Sequence, residues 1–193
     1  MKCLVVIAHP LEDSLCKHLA KETIAHLEAK GYEITVKDLY AESFSPALTH
    51  AERQSYFTEE FDSSALEQNL AQLKETQSLV LIFPTWWFGF PAILKGWFDR
   101  VWAPGHAYDH ADNNKAILPK LDNLVEMKVI TTLGSPGWVD YLVLRQPVRR
   151  VLKTAILGTC APKCRFQMLS LYGSESLNKE KVDRFIRKIK TRF

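Results

Sequence analysis

The chain is short of several things that would otherwise assign it quickly. Its 193 residues hold four cysteines, Cys3, Cys16, Cys160 and Cys164, and only the last two lie close together. No second cysteine or histidine pair follows them, so the sequence argues against a metal site and for free thiols in a reducing compartment. Charge of one sign is scarce: 25 Lys and Arg against 22 Asp and Glu leave +3, too little for a nucleic-acid surface. The N-terminal apolar run, CLVVI, is short and passes straight into His9, Pro10, Glu12 and Asp13, which suits neither a signal peptide nor a membrane span. A cytoplasmic protein without membrane insertion is expected. Glycine is absent from the loop AHPLEDSLC (8–16), which excludes a P-loop or a GxGxxG dinucleotide fingerprint there. The chain has no internal repeat and no low-complexity segment.

What is present is an alternation of strand and helix patterns over a length that suits one domain, 1–193. CLVVI (3–7), LVLIF (79–83) and KVITT (128–132) are nearly continuous apolar runs, as in parallel strands covered on both faces. EITVKDL (33–39) alternates and reads as an edge strand, and FQMLSLY (166–172) supplies a fifth. Between them run helical stripes: Cys16, Ala20, Thr23, Ile24 and Leu27, ended by Gly31; Leu66, Leu70 and Leu73; Ile93, Leu94, Trp97, Phe98, Val101 and Trp102, opened by Pro91 in the first turn. Pro147 opens a further helix with Val148, Val151, Leu152 and Ala155 inward, and Leu177, Val182, Phe185, Ile186 and Ile189 mark the last. The pattern predicts a doubly wound α/β domain with a five-stranded parallel sheet of order 2-1-3-4-5 and helices on both faces. Ligands of such sheets lie outside the carboxyl ends of the strands at the topological switch, where loops 8–16, 84–91 and 133–141 should meet. A long connection, 103–126, rich in His, Asp, Asn and Pro, is expected to cover a neighbour or a partner chain.

Four of the five tryptophans and four of the ten phenylalanines fall in one stretch, FPTWWFGFPAILKGWFDRVW (83–102). Its back half is an apolar helix stripe, so Trp97, Phe98 and Trp102 are assigned to the core. Its front half, PTWWFGFP, cannot be helical throughout and offers flat apolar faces and backbone N–H groups. The first loop sets His9 and Ser14 around a helix start. Either Ser14 or Asp13 simply caps that helix, or the free N–H groups and the helix dipole take a phosphate. The third loop, TTLGSPGW, has small residues that allow close approach and Trp138 as a wall. Aromatic walls beside a phosphate site suit a flat phosphorylated heterocycle, for which flavin is the economical candidate. Arg145, Arg149 and Arg150 head a helix near this site and face either the phosphates of NAD(P)H or solvent. The basic residues of the last helix read as a solvated face.

The strings AHPLEDSL (8–15), FPTWWFGFPAILKGWFDRV (83–101), GHAYDH (105–110) and TTLG (131–134) resemble the NAD(P)H:quinone oxidoreductase family of flavodoxin-like flavoproteins. That family includes quinone reductases and ancillary oxidoreductases of bacterial potassium-efflux systems. The resemblance implies FAD, or alternatively FMN, with NAD(P)H as reductant, hydride passing through flavin N5 to a quinone, and a homodimer with the flavin near the interface. It implies that His9, Ser14, Leu15 and Cys16 meet the flavin phosphates. Pro84, Thr85, Trp86, Trp87, Phe88, Thr132, Leu133 and Gly134 would border the ring, and Tyr108 and His110 would reach the partner's pocket. Trp87, Phe88 and Trp138 would select flat acceptors. This chain departs from the family in two places. Cys16 stands where asparagine is common, and after TTLG no histidine follows, so Tyr141 is the candidate for the family's catalytic tyrosine. Two rival readings are a one-electron flavodoxin-like carrier and a flavin-binding regulatory subunit of a membrane transporter.

Overall fold

Alternate residues of a strand point to opposite faces, so a strand apolar on both faces needs cover on both. The computed structural model, which describes residues 1–56, 58, 61–111 and 116–193, supplies that cover with helices. Its strands are β1 (Lys2–Ile7), β2 (Glu33–Asp38), β3 (Ser78–Pro84), β4 (Tyr108–His110), β5 (Ile117–Pro119), β6 (Glu126–Leu133) and β7 (Arg165–Tyr172). Its helices are α1 (Leu15–Ala29), α2 (His50–Ser55), α3 (Glu67–Glu75), α4 (Ala92–Val101), α5 (Pro147–Arg150), α6 (Gly158–Cys160) and α7 (Lys179–Arg192).

Five strands form one parallel sheet in the order β2-β1-β3-β6-β7, the 2-1-3-4-5 order expected. β3 and β6 are buried along their whole length, whereas edge strand β2 leaves Val36 exposed. On one face Cys3, Val5, Ile7, Val80, Ile82 and Ile130 pack with α1 and α7 through Leu19, Leu27, Phe185 and Ile189. On the other, Leu4, Val6, Leu79, Leu81, Met127 and Val129 pack with α3 and α4 through Leu70, Leu73, Trp97 and Val101. Gly31, at φ +81, ends α1 in a left-handed conformation that costs glycine nothing. β4 and β5 form an antiparallel hairpin within the long connection.

Two helical details differ from the sequence pattern. Pro91 is the N-cap of α4, with extended ψ 142, rather than a first-turn residue. The helix opened by Pro147 widens into a π-helical stretch, Val151–Leu157, before α6. The wider turn advances the inner face, so Val148, Leu152, Leu157 and Cys160 are buried while Val151 and Ala155 face outward.

The charged groups buried in the fold are paired. Lys128, on β6, holds Glu126 and the Tyr32 hydroxyl at the amino end of the sheet, away from the loops of interest. Arg100, on α4, donates to Glu52 of α2 at 2.5 Å and to the Ser45 carbonyl at 2.6 Å, both side chains being buried. That pair ties the segment after β2 across α4, and Gly96 is where the two backbones cross. A Cβ there would lie 2.1 Å from the Pro46 carbonyl oxygen.

Candidate functional site

The sheet register carries the carboxyl ends of β1, β3 and β6 to one edge: Ile7 pairs with Ile82, and Pro84 with Thr132. The loops that leave them are stitched together. The Thr85 N–H donates to the Thr132 carbonyl at 2.8 Å, and the Thr85 and Thr131 hydroxyls meet at 2.6 Å. Cys16 reaches Thr132 from the first loop, Sγ to Oγ1 at 3.6 Å. The His9 and Trp86 rings stand 6.1 Å apart and tilted. The first two expected loops thus meet each other and the carboxyl end of β6, from which the third departs, with His9, Cys16, Thr85, Trp86 and Thr132 among the residues in contact.

In the first loop Ser14 is the N-cap of α1, its hydroxyl accepting from the Lys17 N–H at 3.3 Å. The cap uses one orphan donor of the helix and leaves the N–H groups of Leu15 and Cys16 without an acceptor among the described residues. Capping and anion binding are therefore compatible at this end. The Cys16 side chain is buried against Thr132, and burial pushes its thiol up to about 11, so it is a neutral packing group whose N–H faces the site. His9 accepts the Leu11 N–H at Nδ1, 3.1 Å. In the neutral ring the proton then sits on Nε2, which is left to donate. Burial, the larger effect, lowers the His9 pKa, with Lys17 adding to it. Lys17 itself is turned to Asp38 and Glu12.

The second loop is a tight turn. Gly89 N–H donates to the Trp86 carbonyl at 2.9 Å, and the two central residues, Trp87 and Phe88, have φ +50 and +54. Paired positive φ values define a type I′ turn, whose usual occupants are Asn and Gly. Large aromatics there carry strain of order 1–3 kcal/mol each. The strained turn leaves the Trp87 ring fully exposed and the Trp87 and Phe88 N–H groups without acceptors among the described residues. Pro84 is buried at the end of β3.

In the third loop Leu133 is buried, and the Ser135 hydroxyl is buried without a partner among the described residues. Gly137 lies against the Tyr172 ring, where a Cβ would come to 3.3 Å, and Gly134 lies under the Glu175 carboxylate. Trp138 is exposed and leads into a π-helical turn, Val139–Val143. Asp140 of that turn is buried and accepts the Tyr172 hydroxyl at 2.8 Å. Burial, then the bond to Asp140, raises the Tyr172 pKa, so its phenol stays protonated. Tyr141 is half exposed, its ring 5.9 Å from that of Tyr172.

Tyr108 and His110 lie elsewhere. They sit on the β4 hairpin with rings 5.6 Å apart, and Tyr108 donates to the Tyr56 hydroxyl at 3.2 Å. Their contacts on the hairpin and with Tyr56 lie apart from the three loops, and the role expected of them is at a second chain's pocket. Sequence reasoning missed Tyr172, Asp140 and Ser135. The one available signal for Tyr172 was its place at the carboxyl end of the last strand.

A parallel sheet of this order, with a helix N-terminus, an aromatic turn and a small-residue loop converging at its switch point, defines a flavodoxin-like domain. The chain belongs to the flavodoxin-like fold family, whose model matches residues 1–191. It is 33% identical over 192 residues to NAD(P)H dehydrogenase [quinone] 1 of Cavia porcellus, covering 87% of this chain and 66% of the relative. The chain spans about half to two thirds of the length of the first curated relatives it matches. Among solved structures, Smu.1420 from Streptococcus mutans UA159 is 28% identical with a TM-score of 0.83, over 99% of this chain and 97% of that one. An FMN-dependent NADH-azoreductase from Bacillus anthracis str. Ames Ancestor, solved in complex with FMN, shares the fold at 16% identity. Its TM-score is 0.78, over 99% of this chain and 97% of that one.

The leftover groups fit a flavin. Two free N–H groups at a helix N-terminus suit a phosphate, two more on the Trp87–Phe88 turn suit ring nitrogen and oxygen atoms, and the Ser135 hydroxyl remains to be satisfied. Among the described residues, no cluster of three His, Cys, Asp or Glu side chains gathers as metal ligands, and no helix is long and apolar enough to cross a membrane.

Proposed function

We propose that the chain is a flavin-dependent NAD(P)H oxidoreductase that reduces quinones or similar flat acceptors by two electrons, as a homodimer with the flavin near its interface. The observation that carries this reading is the strained Trp86–Gly89 turn, which presents two unpaired N–H groups beside an anion-ready helix end. Strain retained in a turn of bulky aromatics calls for a reason beyond folding. The name and identity level of the Cavia porcellus relative support the activity.

A bound flavin would supply two-electron hydride transfer between NAD(P)H and the acceptor, one proton completing the hydroquinone. The protein's part is positional. Leu15 and Cys16 N–H groups and His9 Nε2 would hold the phosphate, and Ser14 would fix the helix end. Pro84, Thr85, Trp86, Thr132, Leu133 and Gly134 would frame the ring. Trp87, Phe88 and Trp138 would form an apolar slot for nicotinamide and acceptor, and Tyr108 and His110 of a second copy would close it. Tyr141 is the candidate to hold the proton. FAD is the form implied by the resemblance to quinone reductases, and FMN is the form bound in the Bacillus anthracis azoreductase. Both carry the phosphate that this helix end would bind.

The test is direct. The purified protein should be yellow, release one flavin on heating that mass spectrometry identifies, and oxidise NAD(P)H with a small quinone and no added protein. A colourless protein that takes up neither FAD nor FMN would sink the reading. Flavin binding with no turnover unless a membrane partner is present would favour the regulatory subunit.

A further inference from the structure

A sheet ends at two strands, and the two edges of this one are guarded differently. β2, at one edge, is six residues long, carries Glu33, Lys37 and Asp38, and turns Lys37 inward, buried and paired with Glu42. Short length and inward charge are how natural edge strands discourage a further strand from pairing. β7, at the other edge, is eight residues long, equal to the interior β6, and reads RFQMLSLY. Its single charge, Arg165, stands at the first position and is turned to Glu126 of β6. No proline or glycine interrupts the rest, and the ladder to β6 runs through all eight residues without a bulge. The outer row of β7 N–H and C=O groups pairs with no strand among the described residues.

That edge opens into a groove lined by Phe166, Gln167, Met168 and Leu169. Successive side chains of a strand point to opposite faces, so four consecutive residues border one groove only if it runs along the edge, over the backbone. Phe166 and Met168 pack toward the face that α5 covers, and Leu169 toward the face that α7 covers. Each helix contributes a basic rim. From α5, Arg149 lies over the Phe166 ring, 5.2 Å from its centre; from α7, Lys188 and Arg192, one turn apart, border the other side. None of the three has an ion-pair partner among the described residues, and no Asp or Glu side chain lines the groove.

The unpaired row selects the occupant's backbone, and the rims select its side chains. A free strand edge binds an extended peptide through alternating N–H and C=O groups, which neither a nucleic acid nor a lipid headgroup supplies. Cations on both rims call for carboxylates on both faces of that peptide. A second copy of this chain does not meet the requirement. β7 set against β7 across a two-fold axis would bring cations onto cations at both rims, and β2 set against β7 would leave an edge free at each end and grow without closing.

We propose that the groove along β7 is a docking site for an acidic, extended segment of a partner protein, added to the sheet as a further strand. Its carboxylates would meet Arg149 on one face and Lys188 and Arg192 on the other. The site is independent of the flavin reading and stands or falls without it.

The probe is a fluorescent, capped peptide of sequence Val-Glu-Glu-Val-Glu-Glu-Val, titrated into the full chain and followed by anisotropy. Acids at consecutive positions reach both rims. The peptide should bind, more weakly as salt rises, and should slow amide exchange within residues 166–169. Arg149→Gln, Lys188→Gln and Arg192→Gln should each weaken it about twofold to fivefold, the effect of one cross-strand charge pair. The same peptide with lysine for glutamate should not bind. Nor should one with every backbone nitrogen methylated, which keeps the charges and has no N–H to give the edge. Lys188 and Arg192 are exposed, so their variants still decide the matter if Arg149→Gln unsettles Phe166. No binding by the glutamate peptide, equal binding by the methylated one, or indifference to the Lys188 and Arg192 substitutions overturns the proposal. So does single-stranded DNA that binds as tightly and with the same sensitivity, since the groove would then be a general anion surface. Protection of residues 166–169 that rises with protein concentration alone would make the groove a contact between copies and overturns it too.

Discussion

Tyr172 donates its phenolic hydrogen to Asp140 at 2.8 Å, joining the end of the last strand to the turn that carries Tyr141. Asp140 is buried, so removing its donor leaves a carboxylate short of a partner in a poorly solvated place. Tyr172→Phe should cost about 1–3 kcal/mol in chemical denaturation. If the turn positions the acceptor slot, the same variant should lower kcat with a smaller effect on flavin content. Unchanged stability and turnover would mean the bond fixes nothing that matters.

The aromatic turn predicts an opposition between stability and function. Trp87 is fully exposed, so replacing it sacrifices no packing, and asparagine tolerates φ +50 far better. Trp87→Asn should raise the unfolding free energy of the flavin-free protein by about 1 kcal/mol. It should weaken flavin retention or quinone turnover. Trp97, wholly buried on α4, behaves in the opposite sense: Trp97→Ala should destabilise by about 3–5 kcal/mol through a cavity. Comparable effects from the two changes would dissolve the distinction between the halves of this segment.

That distinction was legible in the sequence, as were the five strands, their order and the three loops that meet. Apolar period and turn residues report which faces are buried, and the topology then fixes where the loops go. The register of the helix after Pro147 was not legible, because a π-helical stretch obeys a spacing that an α-helical stripe does not contain, and Val151 and Ala155 turned outward. Tyr172 and Asp140 were missed because their pairing joins two elements 32 residues apart and leaves no local pattern. Tyr108 and His110 stay on their own hairpin, so the role expected of them at a second chain's pocket is not one this chain alone displays.

His9 offers a pH signature. Burial lowers its pKa below the ordinary imidazole value near 6.5, so the folded protein disfavours the charged ring. The unfolded chain binds the proton more readily, so the stabilising contribution of neutral His9 is present above about pH 6.5 and is lost as pH falls towards the folded pKa. In a proton NMR titration of the flavin-free protein the His9 midpoint should lie below the ordinary imidazole value near 6.5. Adding FMN should move it upward, because a phosphate dianion near Nε2 favours the charged ring. A midpoint insensitive to the flavin would remove His9 from the phosphate site.

Gly96 supplies a prediction whose sign is opposite to the helix rule. Glycine to alanine inside a helix ordinarily stabilises by about 0.5–1 kcal/mol, since alanine has less backbone entropy to lose. Here the new methyl would meet the Pro46 backbone, with its carbonyl oxygen at 2.1 Å, and backbone cannot swing aside as a flexible side chain can. The segment through Pro46 is held on α4 by Arg100, which donates both to the Ser45 carbonyl and to Glu52. Gly96→Ala must push that strap off its helix and strain or break the buried ion pair, whose loss leaves uncompensated charge at a cost of about 3–5 kcal/mol. The variant should therefore be destabilised by thermal or chemical denaturation. A more stable Gly96→Ala protein would show that the strap does not cross α4 at this distance.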